Sequence, residues 1–144
     1  MLKVVLDTNV LIKGVQDEFS YANRIINAII EGKMLAIVSP RIVRENTRLA
    51  ERLITDDEYM DKLEDFYDVT KVVMPVKHLR LSPDRDDDKF LDAAIEGSAN
   101  FIVSDDSDLL DLGEVDSVRV VAPEEFLNIY TDGYETEEKS AWSE

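Results

Sequence analysis

Residues 84–110 read DRDDDKFLDAAIEGSANFIVSDDSDLL, and the fold of the chain is predicted mainly from this segment. An acidic run opens an apolar helical pattern, which leads into a short buried strand at residues 101–104. Asp106 and Asp108 follow the end of that strand. Because α/β proteins bind their ligands at the edge of the sheet where parallel strands end, these carboxylates predict a site at that edge.

The composition limits the class of protein. The chain has 144 residues, the size of one domain, and it contains no cysteine, which excludes disulfides and thiolate metal sites. Its 32 acidic residues outnumber its 16 Lys and Arg residues, for a formal net charge of −16. Such a charge opposes binding to nucleic acid unless bound cations or a basic stripe change the local field.

The sequence carries neither a signal-peptide pattern nor a membrane-span pattern. The first residues enter a strand pattern directly, and no apolar run approaches ~20 residues. We therefore expect a soluble, cytoplasmic protein with no membrane partner.

Short apolar runs alternate with helical patterns along the chain. Strands are predicted at residues 2–6, 35–38, 101–104 and 118–121, and residues 69–76 contain a further strand that is broken at Pro75. Helices are predicted at residues 20–31, 57–67 and 123–129, and another begins at Ser39-Pro40, a cap followed by proline in the first helical position. This alternation predicts a three-layer α/β/α sandwich with a central, mostly parallel sheet of about five strands.

The domain organisation follows from where the periodic pattern stops. Residues 1–130 form the predicted domain. Residues 131–144 are acidic and have no periodic apolar face, so we expect a disordered or loosely docked tail with Trp142 as its anchor.

Acidic residues come together where the predicted strands end. The candidates are Asp7, Glu45, Asp106 and either Asp87 or Asp88. Carboxylates in one cleft repel each other unless a cation is present. Oxygen ligands, with no cysteine and a single histidine, indicate Mg²⁺ or Mn²⁺ rather than zinc. Such ions activate water and stabilise a leaving oxygen, which is the chemistry of phosphodiester hydrolysis.

The helical pattern favours Asp87 over Asp88 as the ligand. Asp87 extends the apolar stripe of Phe90 and Leu91 by three and four residues, whereas Asp88 lies roughly 90° from its centre at ~100° per residue. Asp88 remains the alternate, and Asp86 is assigned only a capping role.

Several of these residues have a second interpretation. Asn9 either orients Asp7 by hydrogen bonding or is a turn residue that bonds its own backbone. Asp108 is either an accessory ligand or the cap of a short helix. Glu45 is either a ligand or the partner of an arginine on the surface of its own helix.

Four arginines lie along one face of the helix that carries Glu45. They recur at intervals of three, four and four residues: Arg41, Arg44, Arg48 and Arg52. This stripe is a candidate surface for the RNA backbone beside the acidic site. The alternative is a set of intrahelical salt bridges with Glu45 and Glu51.

The chain resembles the PIN-domain ribonucleases, which include the VapC-type toxins of toxin–antitoxin pairs. The resemblance covers roughly residues 2–127 and rests on VVLDTNVLI, SPRIVRE, DRDDDKFLDAA and FIVSDDSDLL. It implies an α/β/α sandwich, metal-dependent endoribonuclease activity, and four metal ligands. These are Asp7, Glu45, an Asp of residues 86–88, and Asp106.

The leading hypothesis is therefore a Mg²⁺- or Mn²⁺-dependent endoribonuclease that uses water as the nucleophile. The resemblance is compatible with a toxin that has a small antitoxin partner, with an RNA-processing enzyme, and with a homodimer. A different class is an inactive PIN-like module that binds a protein or RNA partner. The full set of four acids argues against this class, because a module without catalysis has no reason to keep repelling carboxylates together.

Overall fold

The computed structural model describes residues 1–135, and this part of the chain forms one six-stranded sheet covered by helices on both faces. The strands, in chain order, are β1 (Lys3–Leu6), β2 (Leu35–Val38), β3 (Lys71–Val72), β4 (Phe101–Val103), β5 (Glu114–Val115) and β6 (Val118–Val121). Their order across the sheet is β3-β2-β1-β4-β6-β5. All neighbours are parallel except β5 and β6.

Seven α-helices connect these strands in the described part of the chain. They are α1 (Thr8–Gln16), α2 (Tyr21–Ile30), α3 (Pro40–Leu53), α4 (Asp57–Asp68), α5 (Asp88–Glu96), α6 (Ser107–Leu110) and α7 (Pro123–Ile129). A 3₁₀ turn, Arg85–Asp87, precedes α5, and a π-helical segment, Tyr130–Glu135, follows α7. The Ser39 hydroxyl accepts a hydrogen bond from the Ile42 N–H, as its predicted capping role requires.

The two faces of the sheet pack into separate apolar clusters. Val4 of β1 packs with Ile25 of α2 on one face, and Val5 packs with Phe90 of α5 on the other. Successive strand side chains point to opposite faces, so adjacent valines of one short strand enter different clusters. The predicted three-layer α/β/α sandwich is therefore confirmed.

The structure differs from the sequence prediction in three elements. The sheet has six strands rather than about five, because the two-residue strand β5 pairs with β6. The predicted third strand is confined to Lys71–Val72. Residues 8–16, which the sequence pattern left unassigned, form α1.

Helix α1 depends on a close approach to α2 at Gly14. A Cβ atom at this position would lie 2.4 Å from Ile26 Cδ1 and 2.8 Å from the Ala22 carbonyl carbon. Real carbon atoms do not come this close, so the absence of a side chain allows the two helices to pack together.

The described segment ends inside helical structure. The predicted domain boundary at residue 130 falls within the π-helical segment that continues α7, where Tyr130 stacks on Phe126. The remainder of the predicted tail, including Trp142, lies outside the described residues. None of the helices in residues 1–135 is long and apolar enough to cross a membrane.

Candidate active site

The candidate site lies where the carboxyl ends of β1 and β4 meet. In the sheet, β2 and β3 lie on one side of β1, and the later strands β4 and β6 lie on the other side. Leu6 is paired with Val103, and the Asp7 N–H donates to the Val103 carbonyl at 3.0 Å. Asp7 and Ser104, each the first residue after its strand, are therefore neighbours. Such a reversal of strand order opens a crevice at the sheet edge.

Asp7 is buried at this edge, with 6% of its surface exposed. Its Oδ1 accepts a hydrogen bond from the backbone N–H of Asn9, and its Oδ2 accepts one of 2.7 Å from the Ser104 hydroxyl. Burial raises the pKa of the Asp7 carboxyl, while these two hydrogen bonds oppose the rise. The nearby charges of Asp106 and Glu45 add to the increase in pKa.

Asp106 and Asp108 belong to the start of α6. The Asp106 carboxylate caps this helix by accepting a hydrogen bond of 3.1 Å from the Asp108 N–H. The Asp106 N–H in turn donates to the Ser104 hydroxyl at 2.9 Å. The alternative in which Asp108 caps the helix is wrong, because Asp106 occupies the capping position. The Asp108 carboxylate remains half-buried beside it.

Asp87 completes a compact group of carboxylates. It ends the 3₁₀ turn before α5, and one oxygen from each of Asp87, Asp106 and Asp108 lies within 4.8 Å of the others. The Oδ2 atom of Asp87 is buried, and no hydrogen-bond donor contacts it in residues 1–135. Burial and the adjacent Asp106 carboxylate raise the pKa of Asp87 to about 8.

Glu45, in contrast, already has a cation as its partner. The Lys89 Nζ atom lies 2.6 Å from Glu45 Oε2, and the Thr8 hydroxyl donates to Glu45 Oε1 at 2.6 Å. Lys89 also pairs with Asp86 at 3.3 Å. Burial raises the pKa of the Asp86 carboxyl, but the Lys89 ammonium outweighs this effect and the pKa is lowered.

The structure places Asp88 outside the carboxylate group. Its Oδ1 accepts hydrogen bonds from the backbone N–H groups of Leu81 and Ser82, at 3.2 and 2.9 Å. One helical turn later, Asp92 accepts a hydrogen bond of 2.7 Å from the Leu79 N–H. Both buried carboxylates therefore attach the loop before the 3₁₀ turn to α5.

Three residues that hold the site together were not predicted from the sequence: Thr8, Lys89 and Ser104. Ser104 could have been predicted from the sequence, because it directly follows β4 as Asp7 directly follows β1. Nothing in the sequence indicated the role of Lys89, since the side chain of a lysine within an acidic run is normally solvated. The supporting role proposed for Asn9 belongs to its backbone N–H, and its own side chain is exposed.

The arginine stripe borders the site along α3. Arg41, Arg44 and Arg48 line an open pocket of about 190 Å³ together with Glu45 and Lys89. The alternative of intrahelical salt bridges is not what the structure shows. Within residues 1–135, no carboxylate lies within ion-pair distance of Arg44, Arg48 or Arg52.

Comparison with known families identifies the domain. Residues 3–108 match the family model of the PIN domain. The chain belongs to the PIN domain family. The matched segment runs from β1 to α6, so it contains every carboxylate of the candidate site. The predicted family is confirmed, and PIN domains are generally nucleases.

Two further proteins are similar to this PIN domain. The uncharacterized protein MJ1680 of Methanocaldococcus jannaschii is 28% identical over 140 residues, which cover 88% of this chain and 90% of the relative. The crystal structure of VapBC2 from Rickettsia felis, bound to a DNA fragment from their promoter, contains a chain that matches with a TM-score of 0.57. The match has 10% sequence identity and covers 83% of this chain and 97% of that chain. This second likeness establishes the fold.

The residues of this PIN domain fit a divalent cation at the carboxylate group. Asp87, Asp106 and Asp108 supply converging oxygens, and the buried Asp87 Oδ2 has an unused acceptor. Carboxylate oxygens suit Mg²⁺ and Mn²⁺. His78, the only histidine in the sequence, instead lies 3.4 Å from Asp92. The chemistry of the donor set therefore matches the ions that the sequence predicts.

Proposed function

We propose that this PIN domain is a Mg²⁺- or Mn²⁺-dependent endoribonuclease. The observation that carries the proposal is the convergence of Asp87, Asp106 and Asp108 beside the buried Asp7. Burial and, after it, repulsion from neighbouring carboxylates raise the pKa of Asp7 and Asp87, and a bound cation would offset both effects. The membership in a family of nucleases supports the reaction class.

The chain contributes a preformed set of ligands. Asp87, Asp106 and Asp108 would hold the ion, with Asp7 as the buried fourth carboxylate. When bound, the ion activates a water molecule and stabilises the leaving oxygen of the phosphodiester. Ser104 fixes the orientation of Asp7 through its 2.7 Å hydrogen bond, so this carboxylate does not have to reorganise on binding.

The arginine stripe supports RNA as the substrate. A chain with a net charge of −16 repels RNA unless cations are concentrated at the contact surface. Arg41, Arg44 and Arg48 provide that concentration next to the carboxylates, and the guanidinium groups of Arg44 and Arg48 are not committed to ion pairs in the described part of the chain. Arg52 extends the stripe by one helical turn.

The proposal is tested by calorimetric binding of Mn²⁺ and Mg²⁺, followed by cleavage of a mixed RNA pool with the same samples. The variants are Asp7→Asn, Asp87→Asn and Asp105→Asn. Asp105 is the matched control, because it is an exposed acid in the same loop and lies outside the carboxylate group. We expect the first two variants to lose metal binding and to reduce metal-dependent cleavage by roughly a hundredfold or more.

The control decides how a loss is interpreted. We expect Asp105→Asn to bind metal and cleave RNA as the wild type does. If wild-type protein binds no ion, with RNA present or absent, the nuclease function is wrong, and the alternative of an inactive module that binds a protein or RNA partner replaces it. If all three variants lose activity equally, general loss of negative charge explains the result rather than a site.

The proposal extends to a partner protein. The fold likeness to a chain of VapBC2 supports the role of a toxin that is neutralised by a small antitoxin. A short reading frame for a DNA-binding protein beside the gene would favour this role over RNA processing. Co-expression of that protein should yield a complex and suppress RNA cleavage. We extend the proposal to a homodimer, with which the family resemblance is compatible, and sedimentation equilibrium of the free and complexed chain tests it.

A further inference from the structure

Lys89 is a buried cation with all of its hydrogen-bond donors satisfied. Only 4% of its side chain is exposed. Its ammonium group contacts the Glu45 carboxylate at 2.6 Å, the Asp86 carboxylate at 3.3 Å and the Asp86 carbonyl at 2.5 Å. An ammonium group has three N–H donors, and these three acceptors match them. The charge is therefore fixed at one point of the site.

The pairing divides the acids of the site into two halves. Glu45 uses one oxygen for Lys89 and the other for the Thr8 hydroxyl. Asp87 has a buried oxygen with no donor in the described residues, and it lies among other carboxylates. One half thus contains its own cation, whereas the other half lacks one. An external cation gains more by binding to the second half, because the Lys89 ammonium already offsets part of the negative charge of the first.

We propose that the Lys89 ammonium occupies the place of a second metal ion beside Glu45, so that the site binds a single divalent cation. The ion would bind on the side of Asp87, Asp106 and Asp108. Glu45 would anchor Lys89 rather than ligate the ion. This inference rests on the proposed metal-dependent function, and it makes Lys89 a positioning residue rather than a catalytic one.

Removal of the Lys89 charge tests the inference through the number of ions bound. Lys89→Met keeps an unbranched side chain of similar length and removes the ammonium that pairs with Glu45 and Asp86. Lys89→Arg is the matched control that keeps the charge. Mn²⁺ itself is the probe, and its stoichiometry is measured by calorimetry and by the electron paramagnetic resonance signal of the unbound ion.

We expect one Mn²⁺ per chain in the wild type and in Lys89→Arg, and two in Lys89→Met. Addition of Glu45→Gln to Lys89→Met should return the stoichiometry to one, because the vacated position then lacks its carboxylate. Spin coupling between two Mn²⁺ ions, present in Lys89→Met and absent in the double variant, would support the same conclusion.

Two results would overturn the inference. One is binding of two Mn²⁺ ions by the wild type, a measurement that remains decisive even if Lys89→Met fails to fold. The other is a single Mn²⁺ in a Lys89→Met protein whose circular dichroism melting curve shows that it is folded. Either result leaves the proposed nuclease function standing. Binding of no ion by the wild type would instead remove the metal-dependent function itself.

Discussion

The hydroxyl of Ser104 donates a 2.7 Å hydrogen bond to Oδ2 of Asp7, although 97 residues separate them in the chain. Both residues follow directly after parallel strands that are neighbours in the sheet. The bond is buried, so it orients the carboxylate in an environment where few alternative donors exist. The pairing of β1 with β4 therefore places the Ser104 hydroxyl next to the Asp7 carboxylate and sets the geometry of this part of the site.

Replacement of Ser104 by alanine should weaken metal binding. The variant removes the donor to Asp7 and the acceptor for the Asp106 N–H, so both acids become less well oriented. We expect the Kd for Mn²⁺ to rise by about 10- to 100-fold, the usual effect of removing a hydrogen bond to a metal ligand. Calorimetric titration measures this change. Ser107→Ala is the control, because Ser107 is exposed and should bind Mn²⁺ like the wild type.

Asp87 and Asp88 should respond in opposite directions to the same substitution. Asp87→Asn removes a carboxylate that lies among other carboxylates. At pH 8.5 and without metal, the free energy of unfolding of the variant should therefore be higher than that of the wild type. We expect the free energy of unfolding to rise by about 1–2 kcal/mol. This is less than the full pKa shift would give, because solvent screens the charge of a side chain that is only half-buried. Asp88→Asn weakens two hydrogen bonds from the backbone N–H groups of Leu81 and Ser82, and its free energy of unfolding should fall by about 1–3 kcal/mol.

The gain in Asp87→Asn should depend on pH. The folded-state pKa of Asp87 is raised to about 8, far above the ordinary value of 3.8. Below the ordinary value this group costs the folded state nothing, and stability is lost as the pH rises toward about 8. Urea denaturation in the presence of a chelator, at pH 5 and at pH 8.5, measures the difference. A stabilisation of equal size at both pH values would contradict this explanation.

Metal binding should release a proton near neutral pH. At pH 7 the Asp87 carboxyl, with a pKa of about 8, is mostly protonated, and an ion must displace that proton. We expect release of roughly one proton per Mn²⁺ at pH 7, falling toward zero above about pH 9. Calorimetry in buffers of different ionisation enthalpy gives this number directly. An apparent affinity that is constant from pH 6 to pH 8 would show that Asp87 does not titrate with the ion.

Charge reversal in the arginine stripe should weaken RNA binding without affecting the ion. Arg44→Glu combined with Arg48→Glu should lower RNA affinity and reduce the slope of log affinity against log salt by about 1.4, or 0.7 for each phosphate that is no longer neutralised. Fluorescence anisotropy with a labelled RNA measures the slope. Arg24→Glu with Lys62→Glu makes the same charge change outside this pocket and serves as the control.

An unchanged salt slope in the Arg44→Glu and Arg48→Glu protein would assign the stripe a structural role. Cleavage would fall if the substitutions weakened RNA binding, and also if they disrupted the ion site. The Mn²⁺ titration of the same protein distinguishes these two causes. We expect its Mn²⁺ stoichiometry to equal that of the wild type.

The sequence predicted most of the architecture, and its errors have local causes. Helix α1 escaped prediction because it is only nine residues long and its apolar residues 10–12 are consecutive before Lys13 and Gly14 interrupt them, a pattern too short to establish helical periodicity. Its formation depends on the cap at Asp7 and on packing against α2. The preference for Asp87 rested on a helical stripe, yet Asp87 lies in a 3₁₀ turn before the helix, so that argument does not describe its position.

The order of strands and helices along the chain was enough to place acids at one edge of a parallel sheet. The alternation of strands and helices sets the strand direction, and Asp7 and Asp106 follow strands, so both must appear at the carboxyl edge. Which carboxylate oxygen atoms have hydrogen-bond partners, in contrast, depends on the packing of distant residues. The contacts between Lys89 and Glu45 and between Ser104 and Asp7 join residues that are 44 and 97 positions apart. Local periodicity places a side chain on a face, whereas hydrogen bonding between distant side chains depends on how the layers pack.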